Sequence, residues 1–176
     1  NNWLGQKTRQ GFYKKIDKGL IHSLDLETME YKPMKKNKYA AFSIAKENTY
    51  LSDRLHSIVR VDDVAGKFLW TCFARSLAYS ANLLGTIADD VVGIDDAMKG
   101  GFGWDLGPFE VLDAIGLDYF VNRCIEDGIS LPDWLSSMVK SDFKSIYTYI
   151  DGKKSFFDFK VGDYVEVIKN EKSMNF

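Results

Sequence analysis

The chain has 176 residues, of which 45% are apolar and 14% aromatic, enough to bury the core of one ordinary domain or of a domain plus part of its neighbour. A formal net charge of −2 excludes the basic field that draws proteins to nucleic acid or to anionic membranes. No apolar run reaches the roughly 18–20 residues of a membrane span and no signal-peptide pattern opens the chain, so a cytoplasmic protein is expected.

In chain order, "GFYKKIDKGLIHSLDLETMEYKP" (11–33) alternates apolar and polar residues around Gly, Asp and Lys turns, which predicts β-hairpin structure. The lysines are densest at Lys35, Lys36 and Lys38, a solvated loop or helix start. Residues 37–59 predict a helix, with Asn37 as cap and Ala41, Ile44, Leu51, Leu55 and Ile58 as its apolar stripe. A second helix starts at Asp62 or Asp63 and runs through "VAGKFLWTCFARSLAYSANLLGTIA", apolar almost all round and therefore central and buried. Gly66 in its first turn costs about 1 kcal/mol in propensity, tolerable if another helix crosses closely. "GIDDAMK" predicts a short helix stopped by Gly100 and Gly101.

Gly107-Pro108 opens the next helix, with Glu110 suited to its first turn and Gly116 closing it. "LDYFVNRCIEDG" is expected to be capped by Asp118 and closed by Gly128, and "SLPDWLSSMVKS" starts near Pro132. "SIYTYIDGKKSFFDFKVGDYVEV" (145–167) returns to hairpin alternation and resembles the first end of the chain. Setting Tyr13 on Tyr147 aligns Ile16 with Ile150 and Asp17 with Asp151; a one-residue gap then aligns Asp25 with Asp158 and Tyr31 with Tyr164. These matches make a duplicated unit plausible, with the two hairpins pairing side by side. The domain reading is 1–35 as the tail of a preceding unit, 36–145 as a helical domain and 146–176 as a hairpin tail, the whole being a fragment of a longer polypeptide.

The stretch "GGFGWDLGPFEVLDAIG" (100–116) tests for chemistry. Its Gly101-x-Gly103-x-x-x-Gly107 spacing imitates a dinucleotide loop, but a helix rather than a strand precedes it and the last gap is one residue too long. A tight helix-to-helix corner with Phe102, Trp104 and Phe109 packed inward is the better reading. His22 and His56 have no evident orienting partner, which leaves them solvated rather than catalytic. Asp89-Asp90 and Asp95-Asp96 read as helix-start carboxylates before metal ligands. Cys72 and Cys124 lie in apolar helical stretches, as buried reduced thiols. No Ser-His-Asp set, P-loop or HExxH motif is present.

"GIDDAMKGGFGWDLGPFEVLDAIGLD" resembles the C-terminal domain of 3-hydroxyacyl-CoA dehydrogenases, with their Ile-Asp-x-Ala-Met helix, Gly-Phe-Gly corner, Gly-Pro-Phe-Glu and Asp-x-x-Gly-Leu-Asp ending. The opening "WLGQKTRQGFYKK" is similar to the Gly-x-Lys-x-Gly-x-Gly-Phe-Tyr segment that closes a preceding copy. The resemblance implies a mainly α fold, a helical bundle of the 6-phosphogluconate dehydrogenase C-terminal-like kind with short β-hairpins at both ends. Gly101, Gly103, Gly107, Pro108, Glu110 and Asp113 would be its structural motif. It implies an NAD-dependent oxidation of 3-hydroxyacyl-CoA in fatty-acid β-oxidation, with NAD and the catalytic His and Glu held by a Rossmann domain outside this chain. No residue here would bind the cofactor or a metal.

Aligning Phe68 with the family's Phe-x-x-Asn-Arg helix puts Thr71 and Cys72 where Asn and Arg belong, so this copy looks catalytically degenerate. Phe68, Thr71, Phe102, Trp104 and Phe109 would then shape the acyl pocket or contact a neighbouring domain. The implied partners are that Rossmann domain, an enoyl-CoA hydratase domain, the acyl-CoA substrate and a second subunit. A stand-alone, inactive interaction or acyl-CoA-binding module, and a dimerisation domain of another hydroxyacid dehydrogenase, remain as alternatives.

Overall fold

The computed structural model describes residues 3–35 and 37–168. The chain divides into two compact units, Asn1–Lys38 and Tyr39–Phe176. The first is a three-stranded antiparallel meander: β1 (Tyr13–Lys15), β2 (Ile21–Leu24) and β3 (Tyr31–Pro33) in the order β1-β2-β3. A 3-10 turn over Gln6–Thr8 precedes it and ends at Arg9, held at φ 58.

The second unit carries seven α-helices among its described residues, followed by another meander. Residues 37–59 form two helices rather than one, α1 (Ala40–Glu47) and α2 (Leu51–Ile58), and the cap position is Tyr39 rather than Asn37. Side chains hold the break open: the Asn48 amide donates to the Ile44 carbonyl at 2.9 Å, and Arg54 donates to the Asn48 carbonyl. Such bonds compete with the helix ladder.

Helix α3 (Val64–Leu83) starts where expected, with the Asp63 carboxylate accepting from the Gly66 amide at 2.7 Å. Gly66 is required by a close approach, though not of a crossing helix: a Cβ there would lie 2.1 Å from the carbonyl oxygen of Val61, in the link just ahead of α3. The helix ends five residues before Ala88, where Gly85 turns at φ 80. It is central but not buried all round. Trp70, Ala74, Leu77, Ala78 and Ala81 face the core, while Val64, Phe68 and Tyr79 lie on an exposed face with Thr71 and Cys72. Cys72 is therefore an exposed thiol, unlike Cys124, which is fully buried and whose pKa burial pushes up to about 12.

Helix α4 (Val91–Phe102) runs straight through Gly100 and Gly101. The residue that stops it is Gly103, at φ 65, whose amide donates back to Lys99. Helices α5 (Pro108–Ile115), α6 (Leu117–Glu126) and α7 (Asp133–Lys140) follow. Gly116, not Asp118, occupies the cap position of α6; Asp118 sits in its first turn. The strands β4 (Tyr147–Ile150), β5 (Lys153–Asp158) and β6 (Asp163–Glu166) form a second sheet of order β4-β5-β6. Each meander is a three-stranded sheet of its own. Phe109, Leu112, Ile115, Phe120, Leu135 and Met138 fill the helical core, which Ile146 and Phe157 join from the sheet. Each such side chain contributes about 1.5–3 kcal/mol on burial.

Candidate functional site

The densest polar construction joins α4, α5 and the second sheet. Asp95 lies in the middle of α4 with no exposed surface. Its Oδ1 accepts from the Phe109 amide at 2.8 Å, and its Oδ2 accepts from the Glu110 amide at 3.2 Å and from the Tyr147 hydroxyl at 2.8 Å. Asp95 is thus no helix-start carboxylate of its own helix; it caps the N-terminus of α5, whose first amides have no intrahelical partner. Gly107 makes this possible, since a Cβ there would lie 2.4 Å from the Asp95 Cβ. Pro108 at the first helical position needs no amide partner.

Asp113, one helical turn further along α5, accepts from the Ile146 and Tyr147 amides at 2.6 and 2.8 Å. Glu110 accepts from the Gly107 amide at 3.0 Å and pairs with Lys99 and Lys154. Burial is the largest influence on both aspartates, raising Asp95 to about 6 and Asp113 to about 7 despite the amides they accept from. Burial also opposes the charge on Glu110, but the Gly107 amide and the two lysines hold it below the ordinary carboxylate value. The Tyr147 hydroxyl is pushed up by burial and by the Asp95 charge. Every carboxylate oxygen of the two aspartates is occupied by a donor from this chain. The construction therefore clasps two helices to a sheet; it presents no free base to a substrate.

A second cluster closes the ends of α2 and α5. The Arg60 guanidinium lies 3.8 Å from the Tyr119 ring centroid and donates to the Ile115 carbonyl at 2.9 Å. Arg123 donates to the Val59 carbonyl and to the Tyr119 hydroxyl, and sits over the Trp70 ring. Trp70 donates its indole N–H to Asp127 at 2.5 Å. Apart from Arg123 and Tyr119, one turn apart on α6, the partners lie 55–64 residues apart in sequence, so no short motif marks the cluster. Tyr147 had one signal, its place in the internal repeat.

The expected site residues separate. Phe109 is buried, but Phe102 is 70% exposed and Trp104 47% exposed, packed on one another at 5.8 Å rather than inward. They sit beyond the last inward turn of α4, where the core has already ended. Phe68 is 65% exposed, and the Thr71 hydroxyl donates to the Lys67 carbonyl of its own helix. The glycine corner presents the carbonyl end of α4, and Asp95 and Glu110 already fill the amide end of α5, so a pyrophosphate finds no cradle there. His22 lies in β2 opposite Lys14 and Pro33, and His56 is exposed on α2. Asp90 caps α4 through the Gly93 amide, Asp89 pairs with Lys160, and Asp96 pairs with Lys99. Among the described residues, no group of three or more His, Cys, Asp or Glu is placed to hold a metal, and no helix is long and apolar enough to cross a membrane.

The family described as "3-hydroxyacyl-CoA dehydrogenase, C-terminal domain" matches residues 70–142. This stretch is a 3-hydroxyacyl-CoA dehydrogenase C-terminal domain. Asp95, Gly107, Glu110 and Asp113 of the clasp lie inside the matched stretch, and Tyr147 lies beyond it. A protein of Bacillus subtilis (strain 168) named as a 3-hydroxyacyl-CoA dehydrogenase is 39% identical over 98% of this chain and 22% of its own length. Proteins of Rickettsia prowazekii and Rickettsia felis, named as fatty acid oxidation complex trifunctional enzymes, are 24% and 27% identical over 78% and 76% of the chain. The chain spans about a fifth of the length of these relatives. No solved structure matches it.

Proposed function

We propose that this chain is the distal helical part of an NAD-dependent 3-hydroxyacyl-CoA dehydrogenase of fatty-acid β-oxidation. The observation that carries the reading is the 39% identity to the Bacillus subtilis relative across nearly the whole chain, in line with the family match over residues 70–142. Residues 1–35 are then the tail of a preceding unit of the same kind, and 146–176 the tail of this one. The chain contributes packing surface rather than chemistry. NAD does not fit any group of residues described above and is bound elsewhere in the longer protein, by a Rossmann domain that also holds the catalytic His and Glu. The exposed α3 face with Phe68 and Thr71, and the Phe102–Trp104 pair, serve as inter-domain, acyl-pocket or subunit contacts; Phe109, being buried, does not. The substrate is an acyl-CoA, the further partners an enoyl-CoA hydratase domain and a second subunit, and the setting the cytoplasm.

The test is NADH formation from 3-hydroxybutyryl-CoA by the 176-residue chain and by the full-length protein. Turnover by the full-length protein alone is the expected result. Turnover by the short chain overturns its scaffold role, and none by either supports an inactive, stand-alone acyl-CoA-binding or interaction module.

A further inference from the structure

The two meanders correspond residue by residue once the single gap in the first turn is allowed. Tyr13 pairs with Ser23 as Tyr147 pairs with Phe156, and Leu24 pairs with Tyr31 as Phe157 pairs with Tyr164. The Leu24 amide donates to the Phe12 carbonyl at 2.8 Å, and the Phe157 amide to the Ile146 carbonyl at 2.8 Å. The Tyr31 hydroxyl donates to the Gly11 carbonyl and the Tyr164 hydroxyl to the Ser145 carbonyl, both at 2.7 Å. One copy can therefore be read for what covers the other.

In the second sheet, Ile146 and Phe157 are buried in the helical core, the Tyr147 hydroxyl reaches Asp95, and the Ile146 and Tyr147 amides reach Asp113. Their counterparts in the first sheet are Phe12, Leu24 and Tyr13. Phe12 is 71% and Tyr13 62% exposed, and a cavity of about 190 Å³ opens between Trp3, Gly5, Gly11, Phe12 and Leu24. Trp3 packs its ring on Tyr31 at 5.8 Å, while Tyr164 meets Phe143 at 5.4 Å from a different chain position, Arg9 standing where Phe143 does.

We propose that the Phe12–Tyr13–Leu24 face docks a helical unit of the same class as residues 39–146, encoded ahead of residue 1, which gives one buried carboxylate to the Tyr13 hydroxyl and another to the Phe12 and Tyr13 amides. This rests on the distal-copy reading above and names what the first sheet binds. The spacing is fixed by the second copy, where Asp95 lies 52 and Asp113 lies 34 residues before Tyr147. The occupant accordingly carries acidic residues close to 52 and 34 positions before Tyr13, the second on a helix opened by Gly-Pro.

The test compares the 176-residue chain with the same chain extended by the sequence encoded directly ahead of it. Amide hydrogen exchange is read at Phe12 and Tyr13, with Ile146 and Tyr147 as internal standards. Extension is expected to slow exchange at Phe12 and Tyr13 by about 100-fold or more, to the level of the standards. Tyr13→Phe should lower the melting temperature of the extended chain by a few degrees and leave the short chain unmoved. Unchanged exchange on extension overturns the proposal, as does an encoded sequence without the two acids. Protection that appears in the short chain as its concentration rises also overturns it, by making a second copy the occupant. Dehydrogenase turnover without protection sinks this inference alone; protection without turnover sinks the catalytic reading alone.

Discussion

The two sheets share strand order, register and the tyrosine that ties the third strand back to the residue two before the first. They differ in what their faces meet. β4–β6 presents Ile146 and Phe157 to a helical core, and two carboxylates from α4 and α5 fasten its leading edge. β1–β3 presents Phe12 and Tyr13 to solvent. Register is thus a local property, fixed by turns and ladder bonds, whereas the stability of a three-stranded meander depends on the surface it packs against. The same strand pattern can be a core layer in one place and an open face in another.

Truncating the matched core positions tests that contrast most severely. Phe157 touches the rings of Trp134, Phe143 and Tyr164, and Phe157→Ala should destabilise unit 39–176 by about 3–5 kcal/mol. Leu24→Ala, its counterpart, should cost under about 1 kcal/mol in this chain. Denaturant midpoints for the two variants measure the difference, and equal costs would mean that the first sheet is already packed.

The carboxylates separate the sheets by pH. Asp95 and Asp113 hold protons in the folded state up to about pH 6 and 7, above their ordinary carboxylate values. Between about pH 4 and 7 the folded chain therefore binds protons that the unfolded chain has released, so stability falls as pH rises through that window. Each group contributes about 2–4 kcal/mol at most across it. Glu110, Lys99, Lys154 and Tyr147 face the pair; Glu110, with its lowered value, loses its contribution only at lower pH. Thermal melts of the parent and of Asp113→Asn should show a slope that the variant flattens. A melting temperature that rises from pH 5 to 7 in the parent contradicts this assignment.

Next in size is the hydroxyl. Tyr147→Phe removes a donor from the buried Asp95 and should cost about 1–3 kcal/mol. Tyr13→Phe in the same chain should fall within about 0.5 kcal/mol of the parent. Calorimetry of the pair decides whether the clasp exists on one sheet only.

Much of this arrangement was legible in the sequence because it rests on short-range rules. Asp63 as cap, Gly107-Pro108 as a helix start, Gly116 as a stop and the Tyr-Ile-Asp…Asp…Tyr repeat are all read from neighbours in the chain. The misreadings have the opposite origin. Gly100 and Gly101 look like a helix stop, yet Gly103 is the residue that turns left-handed, and only the geometry of the whole turn distinguishes them. Phe102 and Trp104 look like core because they are aromatic, but the helix has already passed the core when it reaches them. Asp95 reads as a helix-start carboxylate, and its burial depends on Gly107, 12 positions on, letting two backbones approach. Asp113 was visible as a motif residue, but its partners come from a sheet more than 30 residues later.

The smallest effect should be the same in both sheets, which is what makes it informative. Asp25 Oδ1 accepts from the Glu27 and Thr28 amides at 3.0 Å, and Asp158 Oδ1 accepts from the Lys160 amide at 2.8 Å and the Val161 amide at 3.4 Å. Each aspartate thus folds the turn between the second and third strands through its own side chain, a bond that needs no helical cover. Asp25 adds an exposed contact with Lys32, and such surface pairs contribute little. Asp25→Ala and Asp158→Ala should each lower the melting temperature slightly and by similar amounts, and exchange of the Thr28 and Val161 amides should quicken to a similar degree. If Asp158→Ala costs far more than Asp25→Ala, the turns are not equivalent, and the correspondence between the sheets ends at their ladders.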